Sequence, residues 1–260
     1  MQANFPASVS ASVWPDLSLP PFFLSLVTAV SPGAFRHFNP LISLLPLTKD
    51  QPQPSFADFL RPEERHHWQS LASDKRQREW LAGRICAYDC ARRLLATKYP
   101  DEAARFSVRD WWLDNGEDGR PFWQGNAPAI LRDLDISLSH GGGYALAIIA
   151  PPRVGADVQP CLPKVERVAA QFAHPEEEDT LARLLLEQDR LTRLTLLWSV
   201  KESLRKAATA LPGFLAMRLT DGNRVDNGWQ LMLTWEARQK ATVAATLHDG
   251  HAFAFCLLEE

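Results

Sequence analysis

PEEEDTLARLLLEQDRLTRLTLLWSVKESLRKAATAL, residues 175–211, decides how the chain is built. A proline followed by three glutamates opens one helix, and Asp189 opens a second apolar-periodic run that ends in basic residues. Residues 62–100, PEERHHWQSLASDKRQREWLAGRICAYDCARRLLATKYP, follow the same plan, with Pro-Glu-Glu in front and a long amphipathic run ending near Tyr99. Each helical arm is followed by short alternating segments. These are Ser107–Trp112 and Ile136–Ile149 after the first arm, and Gln230–Trp235, Ala241–Leu247 and Ala252–Leu258 after the second. Helix plus strands, twice, predicts an α+β fold of two similar α/β halves related by a pseudo-twofold, each a small antiparallel sheet packed on a long helix. The halves are expected at residues 21–151 and 152–258, behind a loose tail of residues 1–20. Phe22–Val30 reads as a first strand. The Pro-rich residues 31–55 read as an irregular surface insertion.

Composition narrows the function classes. With 260 residues and 46% apolar content the chain can bury one substantial core or two small ones. A formal net charge of −3 gives no general attraction to nucleic acid or an anionic membrane, so neither is expected as a partner, and any phosphate binding must be local. The most apolar early run, Pro21–Val30, falls far short of the roughly 20 residues a bilayer needs. Residues 1–20 hold no Lys or Arg ahead of it, unlike a secretory leader, so a cytoplasmic location is expected. Cys86, Cys90, Cys161 and Cys256 lack the paired spacings of a zinc site and read as reduced thiols.

Three stretches hold unusual polar residues. In DISLSHGGGYALAIIA, apolar alternation marks a strand, turn, strand unit with Ser139, His140 and three glycines at the bend, where backbone amides can approach an anion. A serine hydrolase is disfavoured because the pattern is S-L-S-H-G rather than G-x-S-x-G; a hairpin with a hydrogen-bonded histidine at its turn is the plain structural alternative. In VGADVQP, Asp157 and Gln159 project from one strand face, which sets a carboxylate beside an amide oxygen, both ligand types that a hard cation takes. An exposed polar strand face would look the same. In WSVKESLRK, Trp198, Glu202 and Lys206 recur at i, i+4 and i+8 and form one stripe, with Lys201 and Arg205 on an adjoining one; a solvated charged face explains this equally.

Taken in order, GRP at 119–121, SLSH at 137–140, VGADVQ at 154–159 and WSVKESLRK at 198–206 resemble the successive signatures of the surfactin-type 4′-phosphopantetheinyl transferases, from about residue 55 onward. KRQREWLAGR at 75–84 also resembles a helix of the siderophore-associated members. The resemblance implies transfer of phosphopantetheine from coenzyme A to a serine of an apo acyl or peptidyl carrier protein, with release of adenosine 3′,5′-bisphosphate, by a monomer that uses Mg²⁺. By position it implies Asp157, Gln159 and Glu202 as metal ligands, Glu202 also as, or positioning, the base, and Lys206 as the cation facing the departing phosphate. It implies Ser139 and His140 at the coenzyme phosphates, and Arg78 and Arg84 along the coenzyme site. Arg120 stands where lysine is more usual and keeps a positive charge near the coenzyme. Many members carry Glu at the position of Gln159, so a weaker hold on magnesium is expected here. The active cleft is expected between the halves. A catalytically silent coenzyme A or carrier-binding module of the same fold is the alternative.

Overall fold

The computed structural model describes residues 40–47, 60–100, 110–151, 153–208, 213–235 and 239–258. In chain order these form strand β1 (Leu41–Pro46), helices α1 (Pro62–Ser70) and α2 (Asp74–Lys98), strands β2 (Trp111–Asn115) and β3 (Pro121–Gly125), and a short α3 (Ala129–Arg132). Strands β4 (Asp135–Gly141), β5 (Tyr144–Ala150) and β6 (Val154–Pro160) follow, then α4 (Lys164–Arg167), α5 (Pro175–Leu184) and α6 (Arg190–Ala207). Strands β7 (Arg218–Val225), β8 (Gly228–Trp235), β9 (Gln239–His248) and β10 (His251–Leu257) complete the fold.

The first helical arm is two helices. Ser73, in an extended conformation, accepts a hydrogen bond from the Arg76 amide and starts α2 afresh. The inner face of α2, with Leu81, Ile85, Tyr88 and Leu95 buried, packs on an antiparallel sheet of order β1-β5-β4. In the second half α6, capped by Asp189 Oδ1 at 2.7 Å from the Thr192 amide, lies on an antiparallel sheet of order β6-β10-β9-β8-β7. Lys201 is fully buried in α6. Its ammonium is paired with Glu177 Oε1 at 2.8 Å and donates to the Phe172 carbonyl at 2.7 Å, which satisfies a charge that would otherwise be costly inside.

The two sheets are joined by side chains. Asp135, Ser137 and Ser139 share one face of β4, and each accepts from every second amide of β6: Val154 N to Asp135 Oδ2 at 2.8 Å, Ala156 N to Ser137 Oγ at 2.9 Å, Val158 N to Ser139 Oγ at 3.2 Å. The period-two spacing of the strand makes this ladder of carboxylate and hydroxyls regular. Gly141 lets β4 come close: a Cβ there would stand 2.7 Å from the Val158 carbonyl oxygen. Behind the ladder Ile42, Leu146, Ile148, Val158, Phe253 and Phe255 form a core shared by both halves.

Several sequence expectations change. Phe22–Val30 lies outside the described residues. The stretch 31–55 is not wholly irregular, because Leu41–Pro46 pairs antiparallel with β5, from Leu41 opposite Ile149 to Pro46 opposite Tyr144. The strand's one proline, Pro46, is its last residue and is compatible with an edge strand, which leaves one row of amides unused. Of the strand expected at Ser107–Trp112, residues 107–109 lie outside the described residues; the described strand runs at Trp111–Asn115 and pairs with β3, which sequence alternation did not mark. Among the described residues the two main sheets also differ, with three strands in one and five in the other, and β2 and β3 form a separate two-stranded sheet. All four cysteines are free, and burial pushes the Cys86 thiol up to about 12. No described helix is long and apolar enough to cross a membrane.

Candidate functional site

The β4–β6 ladder and the last turns of α6 converge on Asp157. Its side chain is 2% exposed, and Oδ1 accepts from the Ser139 hydroxyl at 2.9 Å and from Lys206 Nζ at 2.8 Å. Lys206 also donates to the Ala156 carbonyl at 3.0 Å, so it bridges backbone and side chain of adjacent β6 residues. Asp157 Oδ2 is buried without a partner, a costly state for a carboxylate oxygen. One helical turn before Lys206, Glu202 is half-buried; burial, and after it the charge of Asp157, push its carboxyl above the usual range, while Arg205 and Lys206 pull against them.

A cavity of about 510 Å³ opens beside this pair. The β2–β3 turn, β4 and the end of α6 form its walls, with Arg120, Ser137, Leu138, Glu202, Arg205 and Lys206 among the lining residues. Arg120 sits on the wall, but its guanidinium is already engaged: it donates to Asp135 Oδ2, to the Lys206 carbonyl and, at 3.3 Å, to the Val154 carbonyl.

At the other end of β4, His140 Nδ1 stands 3.5 Å from Glu79 Oε2 of α2. Burial holds the His140 pKa below the ordinary value; Glu79 opposes this, and Lys206 adds to it. Arg84 is turned elsewhere. It pairs with Glu64 Oε1 at 3.4 Å and lies 3.3 Å over the Trp80 ring, and burial brings its pKa down to about 10. Arg78 is half-buried on α2 next to Glu79, and Gln159 is half-buried on β6, two residues beyond Asp157.

The structure thus brings Ser139, Asp157, Glu202 and Lys206 together, with His140 and Arg120 at either end of β4. Arg84 belongs to a separate buried pair. The Ser139 hydroxyl is spent on Asp157 and the Val158 amide, not left open toward a ligand.

Among the described residues no group of three or more His, Cys, Asp and Glu side chains gathers as a metal cluster. The two carboxylates Asp157 and Glu202 stand near one another, and Gln159 follows Asp157 by two residues on β6. These groups still suit a hard cation: a buried carboxylate oxygen lacks a partner, and a second carboxylate feels its charge.

Sequence reasoning missed Glu79 and Asp135. Asp135 carried a signal, because D-x-S-x-S is a period-two polar stripe on an otherwise apolar strand. Glu79 carried one too, as a charge on the buried face of a helix.

Residues 153–256 match the family model described as the 4′-phosphopantetheinyl transferase superfamily. The chain is 31% identical to enterobactin synthase component D of Salmonella typhi over 158 residues, 58% of this chain and 58% of that protein. Against the Salmonella typhimurium protein of the same name it is 30% identical over 155 residues, 57% of this chain and 56% of the relative. The holo-[acyl-carrier-protein] synthase of Anoxybacillus flavithermus is 27% identical over 104 residues, 40% of this chain and 82% of that protein. The chain therefore spans less than two thirds of the enterobactin synthase relatives it matches.

Proposed function

We propose that this chain transfers the phosphopantetheine arm of coenzyme A to a serine of an apo acyl or peptidyl carrier protein and releases adenosine 3′,5′-bisphosphate. The superfamily match over residues 153–256 supports the reaction class. The observation that carries the reading is the Asp157 carboxylate, with one oxygen fixed by Ser139 and Lys206 and the other buried without a partner within range of the Glu202 charge.

In this reaction the serine oxygen forms a bond to the β-phosphorus, the bond from that phosphorus to the bridging oxygen breaks, and the serine proton must leave. Phosphoryl transfer leaves the protein mainly to position groups and balance charge. Glu202, made more basic than an ordinary carboxylate by burial and by Asp157, is suited to accept or orient the serine proton. Lys206 brings a fixed cation to the place where charge gathers on the leaving phosphate, and the Asp157 carboxylate and Ala156 carbonyl keep its side chain from wandering. His140, half exposed and steadied by Glu79, offers a ring nitrogen to a coenzyme phosphate. Ser139 acts here through Asp157. Asp157 and Glu202, with Gln159, would hold Mg²⁺, which supplies charge neutralisation to the diphosphate when bound.

The test is direct. The chain, coenzyme A and Mg²⁺ are incubated with an apo carrier protein, and the carrier is weighed by mass spectrometry. A gain equal to the phosphopantetheine arm, abolished by EDTA and restored by excess Mg²⁺, is expected. Coenzyme A binding without any gain across a panel of carriers would instead favour the silent module.

The neutral Gln159 gives a second prediction. Gln159→Glu adds a charge to the donor set and should lower the Mg²⁺ concentration for half-maximal rate by about 10-fold, since one added ion contact of this kind is worth roughly 1–2 kcal/mol. An unchanged or higher half-saturation would remove Gln159 from the metal site.

A further inference from the structure

Arg120 lies on the cavity wall, where a cation invites assignment as a phosphate ligand, yet its fork points into protein. It meets three acceptors on three elements: the Asp135 carboxylate at the start of β4, the Val154 carbonyl on β6, and the Lys206 carbonyl in the last turn of α6. The side chains of Arg120 and Asp135 are only 20% and 14% exposed. Asp135 Oδ2 also takes the Val154 amide at 2.8 Å, so the pair satisfies both backbone groups of that residue. The carbonyls of a last helical turn lack partners within the helix and carry its negative end, and a guanidinium both bonds and neutralises them. The β2–β3 turn that presents Arg120 is itself closed, with Gly116 N donating to the Arg120 carbonyl at 2.8 Å and Arg120 N to Asp118 Oδ1 at 3.1 Å.

We propose that Arg120, with Asp135, is a positioning residue that fixes the end of α6 so that Lys206 reaches Asp157, and is not itself a coenzyme ligand. The inference rests on the function proposed above and deepens it. The residue whose carbonyl Arg120 holds is the same one whose ammonium bridges Asp157 and Ala156. Loosening that turn frees the cation the reaction needs without removing a contact to the coenzyme. Arginine at this place is explained by its shape: a planar fork reaches a carboxylate and two carbonyls together, whereas an ammonium on a flexible stem cannot hold the same three in one geometry.

Carrier loading is measured for the wild-type chain and for Arg120→Met, Arg120→Lys and Asp135→Asn, with rates expressed per coenzyme A-binding site counted by calorimetry. A small displacement of a catalytic group costs up to about 100-fold, so kcat per site should fall by roughly 10- to 100-fold in all three variants. The coenzyme A Kd and KM should stay within about twofold of wild type, as expected when ground-state contacts are untouched. A role confined to global stability would lower the unfolding temperature and leave kcat per binding site unchanged, which overturns the inference. So would a coenzyme A Kd or KM that rises about tenfold in Arg120→Met with kcat preserved, since that is the mark of a lost ligand contact. Should Arg120→Met fail to fold, Arg120→Lys and Asp135→Asn carry the same comparison. A wild-type chain that binds no coenzyme A, or loads no carrier, defeats the proposed function first and this inference with it.

Discussion

Asp157→Asn and Glu202→Gln are each expected to slow carrier loading by about 100-fold or more, the usual scale for losing one oriented contact that acts in the transition state. The two substitutions keep shape and remove charge. Asp157→Asn leaves an acceptor for Ser139 and Lys206 in place of the carboxylate, so the β4–β6 ladder should survive; its three amide contacts use Asp135, Ser137 and Ser139, not Asp157. Glu202→Gln removes a charge that is disfavoured without a cation, because burial and Asp157 both raise its pKa. The empty protein should therefore be at least as stable as wild type, while Mg²⁺-dependent protection against thermal unfolding disappears. Loss of rate with retained fold is the combination that distinguishes a charge needed for chemistry from one needed for structure. Wild-type loading by either variant would falsify the site assignment, and loss of rate together with a collapsed unfolding temperature would make these residues structural.

Much of this site could be read from the chain, for reasons that differ by residue. Asp157, Glu202 and Lys206 sit in short local patterns, a strand with two polar positions and one helical stripe, and local periodicity places such side chains without knowledge of the fold. Ser139 was visible, but its partner was not: the contact with Asp157 depends on how closely β4 approaches β6, which Gly141 permits and no local pattern states. Arg84 shows a related limit: Trp80, one turn before it on α2, is a local neighbour, but Glu64 reaches it only after α1 folds back on α2.

The fold divides the same way. The two-helix arm around Asp189 and the β4–β5 unit have strong caps or alternation, and both appear close to where the sequence puts them. Strand β7, RLTDGNRV, is polar along most of its length and is held by pairing with β8 across a bulge, so its order comes from a neighbour. Strand β1 likewise gains its meaning from β5, about a hundred residues later in the chain.

Among the described glycines, Gly155→Ala is expected to be the most damaging alanine substitution. On β6 the Gly155 backbone lies against α6, and a Cβ would stand 1.9 Å from the Ser203 carbonyl oxygen and 2.7 Å from the Ala207 nitrogen. Neither atom belongs to a side chain that can rotate away, so the helix itself must move. Overpacking of this kind costs about 3 kcal/mol or more where backbone has to shift. The same displacement carries Glu202 and Lys206, which flank the contact on α6, away from Asp157, and a shift near 1 Å can cost about 100-fold in rate. Urea unfolding should show the stability loss, and loading assayed well below the midpoint should show the rate loss in molecules that remain folded. Gly83→Ala supplies the contrast. In α2 its Cβ would meet only Leu138 Cδ1, at 3.9 Å, so the methyl fits, and the gain in helix propensity should stabilise the protein by about 0.5–1 kcal/mol. If the two alanines changed stability alike, or if Gly155→Ala loaded carrier at the wild-type rate, the tight seating of α6 on β6 would not be what holds the two acids and Lys206 in register.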